Sequence, residues 1–154
     1  MLKSVNQETN VAMELYAVID TNVIVSALIT KRTDSPTRLV LDYLFTGKII
    51  PVYNDEIINE YQNVLSRSKF KLSKDLITTV VEIIKEVGLP MERKPCNEDM
   101  PDPKDIVFYE VALAKESSYL VTGNIKHFPS HPLVVTPSEM IGIIDSNEMD
   151  EYQR

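Results

Sequence analysis

Oxygen-bearing side chains recur in this chain where apolar runs end and helical segments begin. Asp20 follows the run Leu15 to Ile19. Glu60 lies in an amphipathic segment after a second run, Ile49–Tyr53. Asp102 and Asp105 flank the start of a later helical segment, and Asn124 follows Val121-Thr122-Gly123. A buried strand that ends in a carboxylate puts negative charge at the carboxyl edge of a sheet, where open α/β folds bind ligands. Acids gathered there call for a divalent cation, and a cation there suggests phosphate chemistry.

Each position taken alone has a structural role open to it. Asp20 can cap a helix. Glu60 can be a solvated helix residue. Asp102 and Asp105 can simply start a helix, and Asn124 can be a turn residue after Gly123. Their joint placement at one sheet edge carries the chemical reading, because scattered surface acids have no reason to gather.

The elements that must gather them follow from periodicity. Leu15–Ile19, Ile49–Tyr53, Tyr119–Thr122 and Leu133–Thr136 read as strands, with a short edge strand near Met91. Between them, Val23–Ile29, Thr37–Phe45, Asp55–Ser66, a segment from Ser73 to Val87, Lys104–Glu116 and Pro137–Ile144 read as helices. Ser35, Asn54 and Ser73 are placed to cap three of them, and Gly47 and Gly88 to stop two. Strands alternating with helices predict an α/β fold, a three-layer α/β/α sandwich with a mainly parallel central sheet. Residues 15–144 form one domain in this reading, with a loose extension at 1–14 and a polar, frayed tail at 145–154.

Composition narrows the function. With 154 residues, 44% of them hydrophobic, the chain is long enough for a sizeable core. The formal charge of -7 argues against coating nucleic acid by bulk charge. It does not oppose a metal-dependent nuclease, because bound cations offset acids locally. A single cysteine, Cys96, suits a reducing cytoplasm, and no apolar stretch approaches membrane-span length.

The pieces Val18-Ile19-Asp20-Thr21-Asn22-Val23, Glu60-Tyr61, Asp102-Pro103-Lys104-Asp105 and Tyr119-Leu120-Val121-Thr122-Gly123-Asn124 with His127-Phe128 occur in this order and spacing. Together they resemble the PIN-domain family of metal-dependent ribonucleases, and most closely the branch of toxins from toxin–antitoxin pairs. The resemblance implies a PIN-like fold, RNA as substrate, Mg²⁺ or Mn²⁺ as cofactor, a homodimer and a cognate antitoxin partner. It also implies that Asp20, Glu60 and Asp105 are the catalytic, metal-binding acids. Asp102 is then an accessory acid, with Thr21, Asn22 and Thr122 in support. Asn124 stands where a fourth acid is common; its amide oxygen can still meet a hard cation but brings no charge.

Other residues keep two readings. Ser26, four residues past Asn22, reads equally as facing the site or as a helix-interior serine. Arg38, Lys69 and His127 are candidate RNA contacts, and the basic connector Arg67 to Lys74 can equally be a solvated surface. His127 and His131 have a zinc-like spacing, but Pro129 and Pro132 interrupt any helix there. A catalytically weak or inactive module that binds nucleic acid or protein is the alternative function. Receiver sites want paired acids immediately after the first strand, aspartyl phosphatases want an acid where Asn22 stands, and the four glycines form no P-loop.

Overall fold

The structure, a computed structural model, describes residues 14–153. The expected N-terminal extension therefore lies, but for Glu14, outside the described residues. Five strands form one sheet: β1 (Leu15–Ile19), β2 (Ile49–Tyr53), β3 (Leu89–Pro90), β4 (Ser118–Val121) and β5 (Val134–Val135). Their order is β3-β2-β1-β4-β5 and every pairing is parallel. The α-helices among the described residues are α1 (Thr21–Ile29), α2 (Pro36–Thr46), α3 (Asp55–Leu65), α4 (Lys74–Val87), α5 (Ile106–Ala114) and α6 (Pro137–Gln153). The expected α/β/α sandwich is the fold observed.

The central strand shows why the sheet is parallel and covered on both faces. In β1, Ala17, Val18 and Ile19 are all buried, so neither face meets water. Its neighbours are in register at Leu15 with Ile49 on one side and at Ile19 with Val121 on the other. Helix α5 packs against β1 and β4, α2 and α4 pack against β2, and α6 packs against α2. Ser35, Asn54 and Ser73 cap α2, α3 and α4 through their side chains, as their positions predict.

The differences from expectation have local causes. The edge strand is Leu89–Pro90, and the Met91 N–H donating to the Tyr53 carbonyl at 2.9 Å carries the pairing one residue further. The helix expected from Lys104 splits into a 3₁₀ turn, Pro103–Asp105, and α5. The polar tail expected from Asp145 is instead helical to Gln153. An ion pair between Lys48, just before β2, and Glu148 fastens that last stretch to the domain. Such a long-range pair leaves no mark in local hydropathy.

Gly88, between α4 and β3, is required by close packing. A Cβ there meets the Ile84 carbonyl oxygen at 2.5 Å and that of Pro51 at 2.6 Å. Both obstacles are backbone, so neither can rotate away. Gly88→Ala is expected to lower stability by about 1–3 kcal/mol. Urea unfolding should show this as a lower midpoint with an unchanged slope.

Candidate functional site

The strand order reverses between β1 and β4, which marks the crevice where parallel sheets of this kind bind ligands. Asp20 sits at that point. Its N–H donates to the Val121 carbonyl at 2.9 Å, extending the β1–β4 pairing by one residue. It occupies the N-cap position of α1, yet its side chain makes no capping bond. The carboxylate accepts instead from the Thr122 hydroxyl, at 2.8 Å. Both residues are buried, Asp20 being 7% exposed. The capping role open to Asp20 in the sequence is thus not the one its carboxylate takes.

Neutral hydrogen bonds fix the frame around this acid. The buried Tyr61 hydroxyl donates to the Ile19 carbonyl, tying α3 to the end of β1 and setting the adjacent Glu60 beside the crevice. The Gly123 N–H donates to Asn22 Oδ1 at 3.1 Å, joining the loop after β4 to α1. The Thr122 hydroxyl also accepts from the Asn124 N–H at 3.0 Å. Thr21, expected to support Asp20, differs: its hydroxyl oxygen is buried without a hydrogen-bond partner.

A cavity of about 360 Å³ opens over this frame. Asp20, Glu60 and Asp105 all line it, together with Thr21, Asn22, Ser26 and His127. Ser26 fits both of its readings, since its hydroxyl also lies 3.3 Å from that of Thr37. Asp102 and Asp105 separate in role. Asp102 accepts from the Lys104 N–H at 3.0 Å and caps the 3₁₀ turn, whereas Asp105 makes no capping bond. Asp105 Oδ2 lies 3.4 Å from His127 Nδ1, and the Asn124 amide meets His127 Nε2 at 2.8 Å. Asn124 is thus engaged with the imidazole and is not among the residues lining the cavity. Arg38 and Lys69 are not among them either. Arg38 pairs with Asp42, and Lys69 lies over the Phe70 ring. His131 is not among the lining residues either, and its Nδ1 accepts from the Leu133 N–H.

Charge in this cavity is poorly compensated. Burial pushes the Asp20 carboxyl up to about 6, the Thr122 hydroxyl opposing the shift and the charge of Asp105 adding to it. Asp105 is raised as well, by its own burial first and then by Asp102, with His127 acting against the shift. Among the described residues, no three His, Cys, Asp or Glu side chains converge into a preassembled metal cage. The donor set nonetheless fits Mg²⁺ or Mn²⁺. Mg²⁺ keeps several waters and needs one or two carboxylates, and here three carboxylate residues line one cavity.

Two features of this region escape sequence reading. Tyr61 has the periodicity of a core residue, so its hydroxyl carries no separate signal. Glu110, on α5, is buried and accepts from Arg93 at 2.8 Å and from the Cys96 N–H at 2.8 Å. Arg93 also binds Glu56, so one guanidinium joins α3, α5 and the irregular segment leading to Asp102. Burial pushes the Glu110 carboxyl up, but the Cys96 amide and Arg93 together outweigh it and hold it low.

The family model described as PIN domain matches residues 16–126. No curated protein matches the chain.

The raised Asp20 carboxyl has a measurable cost. A carboxyl whose folded pKa exceeds its unfolded one loses stability as pH climbs from about 4 through about 6, and the loss is complete above that. Asp20→Asn removes the charge and keeps a partner for Thr122. In EDTA the variant is expected to be more stable than the parent at pH 7.5, by on the order of 1–3 kcal/mol. The gap should close near pH 4, as read from urea unfolding at the two pH values.

Proposed function

This chain belongs to the PIN-domain family, and we propose that it is an Mg²⁺- or Mn²⁺-dependent endoribonuclease. Three carboxylates from distant parts of the chain lining one cavity carry this reading. Asp20 and Asp105 are the residues that would hold the ion, with Glu60, exposed on α3, completing the set directly or through water. The ion, when bound, supplies polarisation of a phosphodiester and a more acidic attacking water. The protein's own part is positional. Thr122 orients the Asp20 carboxylate through one short hydrogen bond. His127 stands against Asp105 on the cavity wall and is itself held by Asn124, so it supports the acid. In this assignment Asn124 acts through His127 rather than as a ligand.

The chain's own charges favour a cation. Asp20, Asp105 and Glu60 repel one another, and burial raises the cost of the Asp20 charge. A divalent ion relieves both penalties at once. The toxin role, a cognate antitoxin and a homodimer rest on the likeness of the sequence to toxin members of the family. A cytoplasmic setting is supported by the single cysteine. No helix among the described residues is long and apolar enough to cross a membrane.

Cleavage of RNA with Mn²⁺ is expected to stop in EDTA. Asp20→Asn and Asp105→Asn should each lower it by about a hundredfold or more. Mn²⁺ should also raise the unfolding temperature of the parent and leave that of Asp20→Asn unchanged. A folded parent that binds no Mn²⁺ and cuts no RNA overturns the proposal and leaves the inactive binding module in its place.

A further inference from the structure

The acids account for only part of the cavity lining. Arg67 and Phe70 also face it, and among the described residues that line it Arg67 is the one Lys or Arg and Phe70 the one Phe, Tyr or Trp. Val25, Ile29 and Val64 line it too, and Ile29 is 49% exposed, unusual for a large aliphatic residue. The cavity therefore pairs charge with a guanidinium, an aromatic ring and an apolar shelf.

Arg67 and Phe70 come from the tight connector between α3 and α4. The Arg67 N–H donates to the Val64 carbonyl and the Phe70 N–H to the Arg67 carbonyl, each at 3.1 Å. The turn closes at Lys71, which has φ 54°. A non-glycine residue in this left-handed region is disfavoured, and such conformations cluster at functional sites. Phe70 is half-buried against the core, and Lys69 Nζ lies 5.1 Å from the ring centroid. The backbone that carries ring and guanidinium is thus held in a short hydrogen-bonded turn.

These groups match the two parts of a nucleotide. A guanidinium binds phosphate through paired N–H donors, and a phosphate entering a cup of carboxylates needs such a cation beside it. An aromatic face with aliphatic neighbours accepts a base of any sequence by stacking, provided the base is unpaired. We propose that Arg67 and Phe70 form a nucleotide subsite in which Phe70 stacks one unpaired base and Arg67 holds the adjacent phosphate. The inference rests on the ribonuclease reading above and names the groups that position its substrate.

The test uses the full chain carrying Asp20→Asn, so that RNA is bound rather than cut. The probe is a single-stranded oligoribonucleotide carrying 2-aminopurine, whose fluorescence falls on stacking. Binding should quench it. Adding Phe70→Leu should abolish the quench and weaken binding roughly 5- to 100-fold, while Phe70→Trp restores both. Arg67→Ala should weaken binding and reduce the slope of log affinity against log salt by about 0.7. Circular dichroism and unfolding temperature report whether each variant folds, and Phe70→Trp keeps the test valid if Phe70→Leu does not. Quench and affinity that survive Phe70→Leu, or equal affinity for the same sequence as a duplex, overturn the subsite. The two proposals fail separately. A parent that cuts no RNA, with the quench pattern intact, removes the nuclease and leaves the subsite. Cleavage with no dependence on Phe70 or Arg67 does the reverse.

Discussion

The site depends on a carboxylate buried at the end of the central strand without a cation of its own. Asp20 is nearly inaccessible, and its hydrogen-bonding partner among the side chains is a neutral hydroxyl, Thr122. Desolvation of a charge is among the larger local penalties a fold can carry, and an opposite charge is the usual remedy. The same chain supplies that remedy elsewhere. Glu110 is as buried as Asp20, yet Arg93 and the Cys96 amide satisfy it and hold its pKa down. One buried acid is paired with a guanidinium and ties the scaffold together, while the other has a neutral hydroxyl as its side-chain partner.

The frame around Asp20 is rigid for the same reason that it is uncharged. Tyr61 grips the Ile19 carbonyl, Asn22 grips the Gly123 amide, and Thr122 bridges Asp20 and the Asn124 amide. All but the last, which stays within the loop after β4, cross between elements far apart in sequence, and none adds positive charge to the cavity. Geometry is therefore set by neutral groups, which leaves the field of the carboxylates largely intact. The parallel sheet contributes the rest, because every strand ends at the same edge.

Much of this was legible from residues. Strand β1 ending at Asp20, the caps at Ser35, Asn54 and Ser73, and the order of strands and helices all follow from short-range patterns. The acids Asp20, Glu60 and Asp105 could be placed at one edge because α/β alternation fixes where loops fall. What stayed hidden depends on side-chain direction. Asp102 and Asp105 are three residues apart and chemically alike, yet one caps a turn while the other faces the cavity. Asn124 sits at the expected loop but turns to His127. Arg67 rather than Lys69 reaches the cavity, while Lys69 lies over the Phe70 ring. The helix runs on past Ile144, where Glu148 pairs with Lys48, about a hundred residues earlier, a contact that local sequence does not encode.

The strand order also governs when the site can come into being. Asp20 and Glu60 leave the ribosome early, but the strand that completes the pocket floor pairs Tyr16 with Ser118. Until that distant segment emerges, Asp20 has no Thr122 to receive and β1 is open along one side. A growing chain short of Val121 thus lacks the assembled carboxylate frame, however early its first two acids are made.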